Sequence, residues 1–192
     1  MRIYFLRHGE TNWNKEGKMQ GNSDIPLNET GILQAEGASE FISKKDFSAV
    51  FVSPLKRAHH TAKIVLKEKA HRIVLDERLK ERSYGEFEGK TFEEYVKVSK
   101  DDPYFTPQGG ESRIEFGKRI NHFFETLDAK HQNILVIAHG GVFNAILRSL
   151  FNLSLEEVRK HRLGNCEYCV IEKTKNEVRL IRNEKILLTK TQ

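Results

Sequence analysis

Disulfide and metal chemistry have little to work with in this chain, which contains only two cysteines. They form a Cys166-x-x-Cys169 pair inside Cys166-Glu167-Tyr168-Cys169-Val170-Ile171, a stretch that reads as a strand. A redox Cys-x-x-Cys opens a helix, and structural zinc needs two further ligands from a second pair that is missing here. No apolar run is long enough to cross a bilayer, and charge returns at Arg7, too early for a signal-peptide core. A cytoplasmic protein with no membrane partner is therefore expected. Internal repeats, low-complexity tracts and Pro/Ser-rich linkers are also missing, so residues 1–192 are expected to form a single domain. There is no basic block either. The 32 lysines and arginines exceed the 27 acids by five, and the excess is spread along the chain. That distribution argues against nucleic acid and suits a small anion held by a few placed arginines.

Short β-rich runs alternate with longer amphipathic segments. The expected fold is a three-layer α/β/α arrangement with a mostly parallel, mixed central sheet of about six strands. Ile3–Leu6, Ala49–Val52, Ile73–Leu75 and Ile134–Ala138 read as strands, the first with the profile of a buried strand and the last a continuous apolar run. Helices are predicted from about Pro26 to Ser43, Leu55 to Lys69, Glu111 to His131 and Val142 to Leu150. Two alternating segments, about 166–172 and 177–182, flank Lys175-Asn176 as an antiparallel pair. His8, Ser53 and His139 each follow a strand directly. In parallel α/β sheets ligands bind outside the carboxyl ends of the strands, which brings these distant residues to one edge.

Four stretches carry chemistry. Arg7-His8-Gly9-Glu10-Thr11 places a guanidinium beside an imidazole. Such a charge opposes metal binding, depresses the imidazole pKa and can hold phosphate oxygens bidentately. Ser53-Pro54-Leu55-Lys56-Arg57 sets Arg57 in a first helical turn, where the dipole also favours anions. Leu79 to Gly89 is a structured loop with three candidate acids, Glu81, Glu86 and Glu88. His139-Gly140-Gly141 ends the clearest strand, with glycines that allow close backbone approach. Taken singly, each of these residues has an ordinary role as a solvated or structural side chain.

Taken in order, they resemble the histidine phosphatase superfamily, the phosphoglycerate mutase-like proteins. Arg7-His8-Gly9-Glu10-Thr11 is similar to its signature, and Leu27-Asn28-Glu29-Thr30-Gly31 to its first helix. Ser53–Ala62, Leu79–Gly89, Pro107–Ser112 and His139–Val142 resemble its later motifs. The resemblance implies a phosphohistidine on His8, with Arg7, Arg57 and His139 binding the phosphoryl oxygens and Glu81 as general acid and base. It implies substrate contacts at Asn14, Gln20, Gly21, Tyr84 and Gly140. Two arginines and a protonated His139 would stabilise the transferring group with no metal and no cofactor.

The expected activity is hydrolysis of small phosphorylated metabolites, by a monomer or a homodimer. Phosphoglycerate mutase is the alternative, and a non-catalytic phospho-ligand receptor is a third. Only 58 residues separate Glu81 from His139, and Gly89–Gly110 contains no arginine to clamp a mutase substrate. Glu81-Arg82-Ser83-Tyr84-Gly85 looks closer to the mutase form of the loop. The receptor reading would expect a missing His8, arginine or acid, and none is missing. Phe92, Tyr95, Tyr104 and Phe105 are candidates either for lining the pocket or for the core.

Overall fold

The computed structural model describes residues 1–128 and 130–191. In chain order the elements are β1 (Arg2–Arg7), α1 (Asn12–Lys15), α2 (Glu29–Ile42), β2 (Ala49–Val52), α3 (Lys56–Leu66) and β3 (Ile73–Leu75). There follow α4 (Phe92–Ser99), α5 (Arg113–Glu125), β4 (Asn133–Ala138), α6 (Gly140–Phe151), α7 (Leu155–Arg159), β5 (Tyr168–Lys173), β6 (Glu177–Arg182) and β7 (Lys185–Thr191). All seven strands join one sheet in the order β3-β2-β4-β1-β5-β6-β7. Neighbours run parallel from β3 to β1 and antiparallel from β1 to β7. The three-layer mixed sheet is as expected, with one strand more.

The apolar runs at β1 and β4 are continuous because both faces of these strands are covered. Ile3 and Phe5 of β1, with Ile134, Val136 and Ala138 of β4, pack against Phe116, Ile120 and Phe123 of α5 and Phe143 and Leu147 of α6. Tyr4, Leu6, Leu135 and Ile137 point the other way, onto Ala35 and Ile42 of α2 and Ala58, Ala62 and Val65 of α3. The period-two alternation thus divides each strand between two helical layers.

Several boundaries differ from the sequence reading. α5 is shorter than Glu111–His131: Ser112 and Glu115 form a capping box at its start, and Thr126 closes its last turn. α3 ends at Leu66, where Lys67 takes a positive φ and the chain tightens into a 3₁₀ stretch through Arg72. Cys166 does not lie on a strand. It adopts a left-handed φ of 54° two residues before β5, and its amide donates to the carbonyls of Arg7 and His8. Cys169 alone sits in the strand, buried. Burial pushes the Cys166 thiol up to about 12, so it stays protonated at neutral pH.

Of the four aromatics, Phe92 and Tyr95 line a cavity, and Tyr95 is also core, touching Tyr84, Phe87, Phe92 and Phe105 edge-on or tilted. Tyr104 is 73% exposed and lies outside the core.

Gly9 and Gly31 bring the loop after β1 directly onto the first turn of α2. A Cβ on Gly9 would lie 2.4 Å from the Gly31 carbonyl, and one on Gly31 would lie 2.1 Å from that of Glu10. This backbone-on-backbone contact holds the loop that follows His8.

Candidate active site

The carboxyl ends of β1, β2 and β4 deliver Arg7-His8, Ser53 and His139 to one edge of the sheet, as the strand order requires. His8 is buried, and its Nδ1–H donates to the Gly9 carbonyl at 2.7 Å. A neutral ring with that proton committed keeps its lone pair on Nε2. The ring stays neutral because burial, then Arg57, then Arg7 hold its pKa well below the usual histidine value.

Arg57, in the first turn of α3, is entirely buried. Its Nη2 and Nη1 donate to the carbonyls of Gly21 and Ser23, both at 2.7 Å. Burial lowers its pKa to about 10, opposed chiefly by Glu81, so it remains a cation at neutral pH. Thr61, one turn along α3, accepts from the Gly9 amide and donates to the Arg57 carbonyl. The arginine and the loop behind the histidine are thereby fixed to each other. Arg7 anchors its Nη1 on the Leu163 carbonyl at 2.7 Å.

His139 lies with its ring centroid 5.1 Å from that of His8. Its Nε2 shares a 2.7 Å hydrogen bond with Ser53 Oγ. The protonated state expected for this residue does not hold in the unliganded site. Burial, then Arg57, His8 and Arg7, keep its pKa well below the usual value. Its ring is therefore neutral at pH 7. Ser53, its partner, carries no sequence signal beyond its place at a strand end.

Glu81 is held at the N-terminus of α6, where its carboxylate accepts from the Gly141 amide at 2.9 Å and from the Arg82 amide at 2.8 Å. Arg119 of α5 clamps the segment before it, donating to the carbonyls of Arg78, Lys80 and Glu81 while paired with Glu111. The other two candidate acids are placed elsewhere. Glu88 accepts from the amides of Asn22, Ser23 and Tyr84, and so staples the loop whose carbonyls grip Arg57. Glu86 accepts only a long bond from the Gln108 amide, at the surface.

A Cβ on Gly141 would lie 2.1 Å from Glu81 Oε1. Gly141→Ala is thus expected to push the carboxylate off the helix terminus and, on the role that the family resemblance implies for Glu81, to lower kcat about 100-fold. Thermal unfolding should change little. Parallel measurement of kcat and Tm checks this, and an unchanged kcat would detach Glu81 from the reaction.

A cavity of about 260 Å³ opens between these groups. Arg7, His8, Arg57 and Glu81 line it, together with all five positions named for substrate contact, Asn14, Gln20, Gly21, Tyr84 and Gly140. His139 stands behind His8 rather than on the cavity wall. Lys18, Asn144 and Arg162 also line it and were not anticipated. Asn14 has a second duty, since its Oδ1 accepts from the Thr11 amide and closes the cap of α1. Burial and the Glu81 charge keep the Tyr84 phenol protonated well above its ordinary range, a neutral donor beside the acid. Among the described residues, no His, Cys, Asp or Glu side chains gather as metal ligands would, and no helix is long and apolar enough to cross a membrane.

The parallel half of the sheet ends in a basic pocket with one histidine and one carboxylate on its wall and a second histidine packed against the first, an arrangement suited to phosphoryl transfer. Residues 3–185 match the model of the histidine phosphatase superfamily (branch 1), and the chain belongs to that family. It is 35% identical over 150 residues to a Bacillus subtilis protein named uncharacterized phosphatase PhoE, covering 77% of this chain and 76% of that one. It is 34% identical over 183 residues to a 2,3-bisphosphoglycerate-dependent phosphoglycerate mutase of Gloeobacter violaceus, covering 88% and 82%. Among solved structures, the α-ribazole phosphatase of Shigella flexneri superposes with a TM-score of 0.83 at 26% identity, over 98% of this chain and 99% of that one.

Proposed function

We propose that the protein hydrolyses small phosphomonoesters through a covalent phosphohistidine on His8. Nε2 attacks phosphorus, the ester P–O bond breaks, and Glu81 donates its proton to the departing alkoxide. Glu81 then takes a proton from the water that attacks the phosphohistidine, releasing inorganic phosphate and restoring neutral His8. Arg7, Arg57 and His139 bear on the charge that develops on the three peripheral oxygens. Splitting the displacement in two replaces one high barrier by two lower ones.

One observation carries this reading. Buried nitrogens without a protein partner fall on all three groups around His8: Arg7 Nε, Arg57 Nε and His139 Nδ1. Each unpaired buried polar group costs about 1–3 kcal/mol, so the two on the cavity-lining arginines favour a ligand that would accept from them, with His139 Nδ1 a third beside His8. An imidazole with Nδ1 committed and Nε2 free supplies the nucleophile at their centre.

Glu81→Gln tests the acid's role. Alkyl phosphates, whose leaving groups need a proton, should slow by about 10^2–10^4-fold. With p-nitrophenyl phosphate, whose leaving group needs none, a rapid burst of nitrophenolate should persist ahead of slow dephosphorylation. Equal loss of the burst and of alkyl ester turnover would remove Glu81 from that role. The mutase reading is favoured by the Glu81-Arg82-Ser83-Tyr84 loop and by the mutase-named relative. Interconversion of 3- and 2-phosphoglycerate in the presence of bisphosphoglycerate, without net phosphate release, would establish it in place of hydrolysis.

A further inference from the structure

Next to the phosphoryl pocket lies a larger cavity of about 520 Å³. Glu81, Tyr84, Gly141, Asn144 and Arg162 line both, so the two spaces form one continuous cleft. The outer cavity is lined by six cations, Arg82, Arg113, Lys118, Arg148, Arg159 and Arg162, against two acids, Glu81 and Asp101. Two of the cations are already committed. Arg82 donates to the Tyr95 hydroxyl and the Glu111 carbonyl, and Arg113 pairs with Asp101. Among the described residues, Lys118, Arg148, Arg159 and Arg162 form no ion pair.

Arg148 departs most from an ordinary solvated charge. It projects from α6 half-buried, its Nε is sealed from solvent without a partner, and burial, then the Arg113 charge, depress its pKa against an opposing pull from Asp101. Converging like charges around an open space are unfavourable until an anion enters. The same cavity is also lined by apolar side chains, among them Phe92, Ile114, Phe116, Ala145 and Val158. A carbon skeleton fits such apolar surface, with the polar lining groups left for its substituents.

We infer that the outer cavity is a second-anion subsite. On the proposed phosphatase reading, the substrate is a phosphomonoester whose alcohol portion carries a further phosphate or carboxylate beyond a carbon spacer, bound by Arg148 with Arg159 and Arg162. These three arginines come from α6, from α7 and from the segment after α7.

Calorimetry with α,ω-alkane bisphosphonates and ω-carboxyalkylphosphonates of graded length, against alkylphosphonates of equal length, tests this without turnover. At one spacer length the doubly anionic ligand should bind about tenfold or more tighter, as one charge-assisted contact provides. In Arg148→Gln/Arg159→Gln that advantage should fall within twofold, while alkylphosphonate affinity and Tm stay at wild-type values. Which doubly anionic series gains more tells phosphate from carboxylate. No length preference in the wild type, or a preference that survives in the variant, overturns the subsite alone. Failure of every phosphonate to bind overturns the phosphoryl-pocket reading and the subsite with it.

Discussion

His8→Asn is expected to reduce turnover of p-nitrophenyl phosphate by about 10^4-fold or more, the usual scale for removing a covalent nucleophile. Asparagine can still donate to the Gly9 carbonyl, and Arg7, Arg57 and His139 keep their places, so vanadate should still bind. The same variant should resist acid better. His8 and His139 are both held neutral in the fold, whereas an unfolded chain takes up protons from about pH 6.5 downward. Below that pH the unfolded state therefore binds more protons, and stability falls as pH falls. Each such histidine contributes up to about 1.4 kcal/mol per pH unit until its folded pKa is reached. Removing one should shallow the slope accordingly. Thermal melts between pH 7.5 and 5 read this directly, and parallel wild-type and variant curves would contradict the neutral His8. Residual turnover within tenfold of wild type would end the covalent mechanism.

Arg57→Lys should be nearly as damaging, although it preserves charge. The guanidinium reaches two carbonyls of the 21–23 loop while presenting an unpartnered Nε in the site, and an ammonium cannot span that fork. We expect about a 10^3-fold loss in kcat/KM from weakened charge stabilisation and from slack in the loop. Stability should drop by about 2–4 kcal/mol, since one of two charge-assisted bonds is lost and its carbonyl is left buried. Kinetics on p-nitrophenyl phosphate and urea denaturation measure the two effects. A lysine variant with near-wild-type activity would show that only the charge at residue 57 matters.

The parallel half of the fold was legible because β1 and β4 are short uninterrupted apolar runs, and burial on both faces leaves that signature. Arg7, His8, Ser53 and His139 were legible as strand-end residues for the same reason. Their electrostatic states were only half legible. Arg7 beside His8 announces a neutral imidazole, but His139 reads as a cation until the fold packs it beside Arg57 and His8. The outer arginines stayed hidden because Arg148, Arg159 and Arg162 sit at unremarkable helical and loop positions. Only the packing of α6 and α7 turns them toward one space. Short elements escaped too, though α4 and α7 each begin with a capping box, Thr91 with Glu94 and Ser154 with Glu157. β7 was missed because its residues are mostly exposed and lack a clear buried alternation.

The place of β1 in the sheet has a kinetic corollary. It is inserted between β4 and β5, so Arg2 lies opposite both Asn133 and Glu172. The strand that presents His8 thus acquires its neighbours only from segments translated more than a hundred residues later. Contacts of such sequence separation slow folding, because a large loop must close before they form. A ribosome-bound chain arrested before β5 would keep the right flank of its first strand open, and the pocket would come together only after that segment emerged.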